Sequence, residues 1–165
     1  MASYENHGET DKWHTPAYLF EALGVYFDMD VASPPEGPRH VPLFKKNRYI
    51  HEKSLETSWD GFIWMNPPFG HQSTKRKWLT KFFDHGCGIA LFPDRTSAPW
   101  WQEYAPMADA VLFVAPKIKF EREDGTLGES PGTGTTLFAA GYHAKNALIR
   151  ASTLGTVFQH IRSYA

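Results

Sequence analysis

The sequence predicts a three-layer α/β fold, because short apolar runs of strand length alternate with segments of helical periodicity from residue 25 to residue 115. The strands expected after residue 115 indicate an antiparallel end to the sheet. This combination is typical of a Rossmann-like sheet with helices on both faces. We expect residues 1–165 to form a single domain with its own apolar core, in which residues 1–11 are a loose arm.

The first predicted elements are a short helix and a strand that ends in acidic residues. Thr15 and Pro16 are typical of a helix start, with Thr15 as the N-cap, and Gly24 is typical of a helix end. Residues 25–31 then alternate strictly between apolar and polar side chains. This alternation predicts a strand with Asp30 near its carboxyl end.

A proline-rich segment separates this strand from the next one. Four prolines between residues 34 and 42 exclude a long helix, so we expect segment 34–58 to be a loop with a short strand near residues 47–51. The central strand follows as the continuous apolar run 62–65, a pattern typical of burial on both faces. Two prolines stop this run at once, so the next loop lies at the carboxyl end of a buried strand, where open α/β sheets bind ligands.

The remaining elements are helices where apolar residues recur every three or four positions, and strands where apolar runs are short. We predict a helix over residues 73–85, a second one that starts at Ser97 and Pro99 and ends at Pro106, and a third over residues 144–152. We predict strands over residues 89–92, 110–115, 135–142 and 155–161.

The loop after the central strand carries groups suited to a planar amine. The amide of Asn66 accepts and donates, the carbonyl of Pro67 has no competing N–H at Pro68, and Phe69 offers a flat apolar face. An aromatic amine is a poor nucleophile, and two acceptors that draw its nitrogen toward tetrahedral geometry localise the lone pair. An Asn-Pro-Pro sequence is more often a plain turn, but its position after a buried strand favours a catalytic site at these four residues.

Composition and charge exclude several classes of protein. A formal net charge of −1 argues against a protein that coats nucleic acid through bulk charge, although it allows a local basic patch. The single cysteine, Cys87, leaves neither a disulfide framework nor a thiolate metal cluster. The eight histidines are scattered, as surface histidines are, so no metal site is predicted. The sequence shows no membrane span and no signal peptide, so we expect a cytoplasmic protein, in the host cytoplasm if it is viral.

Several segments, in this order, resemble the small phage-type DNA adenine methyltransferases of the Dam-like family. The segments are residues 13–16, 27–32, Trp59 with 66–69, 91–96, 100–101 and 119–120. The resemblance covers about residues 12–142 and implies an S-adenosylmethionine-dependent methyltransferase acting on the exocyclic amine of adenine in double-stranded DNA. Only about 30 residues separate the first strand from the Asn66 strand, so the implied methyltransferase fold is compact and truncated.

The cofactor that the resemblance implies and the DNA are expected to contact largely different residues. The cofactor residues are Trp13, Thr15, Pro16, Asp30, Ala32, Ser33 and Asn66. The basic residues expected to contact DNA are Lys75, Arg76, Lys77, Arg95 and Lys119. A solvated helix face explains the first three of these nearly as well, and Arg95 is equally suited to capping a helix. The absence of a separate target-recognition domain indicates low sequence selectivity or a homodimer that shares recognition.

Two departures from the family leave alternatives open. No Gly-x-Gly-x-x-Gly loop is present, and residues 30–33 stand in its place, so cofactor binding could be weak. Glu52 or Glu56 could bind the cofactor ribose, although either is more often a solvated carboxylate. The chain could therefore methylate another amine, such as that of cytosine, RNA or a protein glutamine, or it could be a non-catalytic DNA-binding relative.

Overall fold

The computed structural model of the chain describes residues 13–68 and 70–159. Within these ranges a six-stranded mixed sheet carries four α-helices. The helices are α1 (Ala17–Leu23), α2 (Gln72–His85), α3 (Pro99–Tyr104) and α4 (Tyr142–Arg150). The strands are β1 (Met29–Asp30), β2 (Ile63–Met65), β3 (Gly88–Pro93), β4 (Ala110–Val114), β5 (Thr135–Ala140) and β6 (Gly155–Gln159). The arm predicted over residues 1–11, and Phe69 of the predicted catalytic loop, lie outside the described residues.

The sheet has a parallel half and an antiparallel half. Its strand order is β1-β2-β3-β5-β4-β6. The first three strands are parallel, whereas β5 pairs antiparallel with both β3 and β4, and β6 pairs antiparallel with β4. The predicted antiparallel end is therefore confirmed. Because β1, β2 and β3 run in the same direction, their carboxyl ends meet at one edge of the sheet.

Helices cover both faces of the sheet, each face with its own apolar core. Leu19 of α1 and Leu148 of α4 belong to one core, and Phe82 of α2 and Trp100 of α3 belong to the other. Trp64, in the middle of β2, faces the first core, while its two strand neighbours face the second. This alternation buries β2 on both sides, as its continuous apolar sequence predicts.

The strand predicted over residues 25–31 is wrong for most of its length. Only Met29 and Asp30 form β1, and the alternating apolar side chains do not share one face. Phe27 packs in the core under α1, whereas Met29 packs in the core under α2. The break falls at Asp28, whose carboxylate accepts the backbone N–H of Phe62 at 2.7 Å. The Asp28 side chain thus accepts a hydrogen bond that a backbone carbonyl accepts in a regular β-sheet. The regular strand begins only after Asp28.

The outer edge of β1 is paired by a loop instead of another strand. The Asp30 N–H donates to the Arg48 carbonyl at 3.1 Å, and the Ile50 N–H donates to the Asp30 carbonyl at 2.8 Å. Farther along, the Ser33 N–H donates to the Ile50 carbonyl at 2.9 Å. The first two bonds form a parallel bridge between Asp30 and Tyr49, which is an isolated bridge where the sequence predicts a short strand near residues 47–51. The loop therefore holds β1 in place from outside the sheet.

Most other predicted boundaries agree with the structure to within a few residues. The helix predicted over residues 73–85 begins at Gln72 and ends at His85, followed by Gly86 in the left-handed conformation with a φ of 72°. Strand β5 ends at Ala140, two residues before its predicted end, because Gly141, with a φ of 91°, turns the chain into α4. Among the described helices, none combines the length and the apolar character needed to cross a bilayer.

Candidate active site

A cavity of about 1030 Å³ opens where the carboxyl ends of β1, β2 and β3 meet. Its wall includes residues 30–33 after β1, residues 66–68 after β2, and Pro93 and Arg95 at the end of β3. The rest of the wall consists of residues 13–15, parts of the loops 34–41, 50–54 and 129–135, and Trp64, Gly70, Trp78, Phe120 and Arg122. This is the edge at which the sequence predicts ligand binding, and the volume is at the upper end of the range for small-molecule sites.

Asn66 is oriented by a residue that precedes α1. Its side-chain nitrogen donates to Oγ1 of the buried Thr15 at 3.1 Å. The predicted role of Thr15 as the N-cap is wrong, because α1 begins at Ala17, Pro16 occupies the cap position and no side chain caps the helix. The hydroxyl holds the Asn66 amide instead, which leaves Oδ1 as the amide atom that can accept from a ligand. Pro16 itself is buried at the helix start, outside the cavity wall.

The proline loop at the end of β2 is supported from α2. Pro67 and Pro68 line the cavity. The Gly70 N–H donates to the Pro68 carbonyl at 3.0 Å, and Nζ of Lys75 donates to the Gly70 carbonyl at 2.8 Å. Lys75 is buried, and its amine lies 5.9 Å from the centroid of the Trp100 ring. The position of Lys75 is that of an internal support for the loop, although the sequence predicts it as a DNA contact.

The other four predicted DNA contacts are more accessible. Arg76 forms an ion pair with Glu103 of α3, and Lys77 is exposed on α2. Arg95 is exposed and lines the cavity, whereas Lys119 is exposed outside the cavity wall. The structure therefore brings one of the predicted cations, Arg95, to the cavity. Binding of DNA by any of the five residues stays a prediction.

Asp30 is a buried acid in the cavity wall, with 3% of its surface exposed. Burial raises the pKa of its carboxyl to about 7, against the opposing effect of the Ala32 N–H, which donates to Oδ1 at 3.0 Å. Near neutral pH the neutral and ionised forms of Asp30 coexist, so a cationic ligand would favour the ionised form. Ala32 and Ser33 line the same wall, and Oγ of Ser33 donates to the Pro34 carbonyl at 2.9 Å.

Trp13, a predicted cofactor residue, forms another part of the wall. The Arg122 guanidinium lies 5.5 Å from the centroid of its ring, which is the geometry of a cation–π contact. A Cβ atom at position 128 would lie 2.6 Å from an atom of the same ring, so this packing requires a glycine at that position. The orientation of the Trp13 ring is thus set by two residues more than a hundred positions later in the chain.

His14 is the residue of this site that sequence reasoning missed. The sequence predicts a surface histidine here, yet only 5% of the surface of His14 is exposed and it lines the cavity. Within the described part of the chain, its Nε2 is buried without a hydrogen-bond partner. Its place between Trp13 and Thr15, both assigned to the cofactor by resemblance, was a signal that could have identified it.

Comparison with known proteins identifies the family of the chain. No curated protein and no solved structure matches it. Residues 2–140, which are most of the chain, match the family described as DNA N-6-adenine-methyltransferase (Dam). This match spans the cavity wall from Trp13 to Thr135 and the whole of the Asn66 loop. The chain belongs to the DNA N-6-adenine-methyltransferase (Dam) family.

Proposed function

We propose that the protein transfers a methyl group from S-adenosylmethionine to the N6 amine of adenine in double-stranded DNA. Membership of the Dam family supports DNA adenine methylation. The observation in this chain that carries the proposal is the hydrogen bond from Asn66 to Thr15, because it presents Oδ1 as an acceptor at the ligand edge of the sheet. An acceptor fixed at that edge suits a substrate amine.

The cavity residues fit S-adenosylmethionine. When bound, this cofactor supplies an electrophilic methyl group on a positively charged sulfur. Asp30, with a pKa of about 7, provides a negative charge that a cation can stabilise. Trp13 offers an aromatic face, and the volume of about 1030 Å³ can hold a cofactor together with a base. Thr15, Ala32 and Ser33, which the resemblance also assigns to the cofactor, all line the cavity.

In the mechanism we propose, Asn66 and Pro67 position the amine. Oδ1 of Asn66 and the Pro67 carbonyl accept hydrogen bonds from N6 of adenine and draw the nitrogen toward tetrahedral geometry. The localised lone pair attacks the methyl carbon in line, so that the N–C bond forms as the S–C bond breaks. A proton then leaves N6 to solvent. Asn66 and Pro67 form no covalent bond with the substrate in this sequence of steps.

The target base has to leave the helix to reach this site. A base stacked in a duplex cannot enter a cavity at the end of β2, so we propose that adenine is flipped out of the DNA. The motif implies that Phe69 stacks on the flipped base and that Pro68 shapes the loop. Lys77, Arg95 and Lys119 are exposed, which supports contacts with DNA phosphates. Lys75 and Arg76, which are engaged within the protein, are weaker candidates for this role.

The sheet supports a shortened Rossmann-like methyltransferase core. Three parallel strands precede an antiparallel end. At the outer edge of β1, where a full core continues with further strands, hydrogen bonds from the loop 42–50 take their place. We propose that this chain acts as one methyltransferase domain.

Transfer of labelled methyl from S-adenosylmethionine to unmethylated duplex DNA tests the proposal. The nucleosides are separated after the reaction, and wild type is compared with Asn66→Ala. Asn47→Ala, at an exposed position outside the cavity wall, is the matched control. We expect label in methyladenine with wild type and with the control, and none with Asn66→Ala.

Other outcomes distinguish the alternatives. Label in another nucleoside, in RNA or in a protein glutamine would assign the same chemistry to another amine. A folded wild-type protein that binds DNA but neither binds the cofactor nor transfers label would be a non-catalytic relative. Full activity of Asn66→Ala would contradict the proposed site.

A further inference from the structure

His14 lines the cavity next to the Asn66 loop and carries an unpartnered ring nitrogen within the described residues. The backbone of His14 is fixed on both sides by Glu121, with the His14 N–H donating to the Glu121 carbonyl at 2.8 Å and the Glu121 N–H donating to the His14 carbonyl at 2.9 Å. Within the described residues, Nε2 of His14 has no hydrogen-bond partner although it is buried. Leaving a buried polar atom unpaired is unfavourable, so this arrangement points to a partner that residues 13–68 and 70–159 do not supply.

The Glu36 and Glu121 carboxylates near His14 favour a cationic hydrogen-bond donor, whereas the Arg39 charge opposes one. Burial lowers the pKa of His14, and the Arg39 charge lowers it further, so the ring is neutral at neutral pH. A neutral imidazole can present an unprotonated nitrogen as an acceptor. The nearest carboxylate oxygen, Oε1 of Glu36, lies 3.9 Å from Nε2, which is too far for a hydrogen bond between the two residues. One ammonium group placed between them can donate to both.

The ligands of the proposed function offer one group of this kind. DNA brings phosphates, which the Glu36 carboxylate repels. The adenine amine is assigned to Asn66 and Pro67. S-adenosylmethionine carries two cations, and its sulfonium has no hydrogen to donate, whereas its α-ammonium has three. The next residue, Thr15, lines the same cavity and binds Asn66.

We propose that Nε2 of His14 and the carboxylate of Glu36 together bind the α-ammonium group of the cofactor. This inference rests on the proposed function and adds two residues to its binding site. Glu36 is half exposed, so its side chain can move outward to admit the ammonium group. His14 supplies the fixed acceptor, and Glu36 supplies the charge.

Binding measurements with three uncharged-sulfur ligands test the assignment without any need for turnover. S-adenosylhomocysteine has the ammonium and the carboxylate, its decarboxylated analogue keeps only the ammonium, and 5′-methylthioadenosine lacks both. Calorimetry compares wild type with His14→Ala and Glu36→Gln. We expect His14→Ala to lower the affinity for the first two ligands about tenfold and to leave the affinity for 5′-methylthioadenosine unchanged. Only the first two ligands have an ammonium group whose hydrogen bond to Nε2 is lost in this variant.

Two comparisons separate this effect from damage to the fold. Unchanged affinity for 5′-methylthioadenosine shows that the cavity of the variant is intact. His143→Ala is the matched control, because His143 is exposed on α4 and lies outside the cavity wall. We expect it to bind all three ligands as wild type does, and we expect His14→Gln, which keeps an acceptor, to recover part of the lost affinity.

Each other result overturns a defined part of the proposal. If His14→Ala weakens S-adenosylhomocysteine but not the decarboxylated analogue, His14 binds the carboxylate and the ammonium assignment is wrong. If it weakens all three ligands equally, or none, His14 does not contact the amino-acid end. If the folded wild-type protein binds none of the three ligands, the proposed cofactor itself is wrong, and the inference falls with it.

Discussion

Asn66 donates its side-chain N–H to the hydroxyl of Thr15, 51 residues earlier in the chain, at 3.1 Å. The bond joins the end of β2 to the residues that precede α1, so it links two segments of the family resemblance that are far apart in sequence. An asparagine amide has one accepting end and one donating end, and Thr15 engages the donating end. The geometry of the acceptor therefore depends on a residue outside the proposed catalytic loop.

Thr15→Val should lower kcat for methyl transfer about tenfold with little change in KM for DNA. The substitution removes the hydroxyl while keeping the shape of the side chain, so the Asn66 amide loses its orientation but not its position. Steady-state kinetics on unmethylated duplex DNA measures both constants. Thr15→Ser, which keeps the hydroxyl, should retain most of the activity, and an unchanged kcat in the valine variant would contradict this role.

Cofactor binding should strengthen as the pH rises through 7. The pKa of Asp30 is about 7 without ligand, and a cationic ligand binds its ionised form more tightly. Affinity for S-adenosylmethionine should therefore increase up to about tenfold between pH 6 and pH 8. S-adenosylhomocysteine, whose sulfur is neutral, should show a smaller change. Calorimetric titrations of both ligands, repeated with Asp30→Asn, check this, and an equal pH dependence in that variant would assign the effect to another group.

Asp30 should also make the folded protein less stable as the pH rises. Its pKa is raised from the ordinary value of 3.8 to about 7, so the folded state keeps a proton that the unfolded state releases between these values. The contribution of the Asp30 proton to the free energy of unfolding is fully present below a pH of 3.8 and is lost as the pH rises through about 7. The total loss is about 4 kcal/mol.

Urea unfolding of wild type and Asp30→Asn at pH 5 and pH 8 measures this contribution. The difference in free energy of unfolding between the two proteins should shift by about 3 kcal/mol in favour of Asp30→Asn at the higher pH. The other carboxylates titrate in both proteins, so their contributions to the free energy of unfolding cancel in this difference. A constant difference across this range would mean that Asp30 is ionised throughout.

Lys75 and Lys77 should behave differently although they are neighbours on α2. Lys77 is exposed, so Lys77→Met should weaken DNA binding and reduce the slope of log K against log salt by about 1. Lys75 donates to the Gly70 carbonyl, so Lys75→Met should lower kcat and leave that slope unchanged. DNA titrations at several salt concentrations separate the two effects. An equal loss of slope in both variants would place Lys75 on the DNA.

Local sequence signals predicted the elements that depend on local physics. The apolar run at residues 62–65 and the prolines after it located β2 and the loop at its end, because burial on both faces and the loss of backbone donors are properties of those residues alone. The same holds for α2, whose apolar stripe and following Gly86 defined it to within one residue.

The errors arose where a distant partner decides the structure. Thr15 has the sequence context of an N-cap, but its hydroxyl accepts a hydrogen bond from the Asn66 side chain instead. Residues 25–31 alternate as a strand does, but the Asp28 carboxylate takes a backbone N–H from Phe62 and limits the regular strand to two residues. His14 is polar, yet its contacts with Glu121 bury it. In each case the competing contact is tertiary, and the neighbouring residues in the sequence do not specify its partner.

The pairing of the sheet is unequal along its width. β1 and β2 share two residue pairs in register, whereas β3 and β5 share six. Local opening is easiest where the fewest backbone hydrogen bonds hold, so the half of the sheet that carries the cavity should fluctuate while the antiparallel half stays closed. In deuterium exchange, the amides of Ser33 and Ile50 at the loop-paired edge should exchange well before those of β5. A ligand in the cavity that contacts both β1 and β2 would hold the two strands together and slow the exchange of these amides.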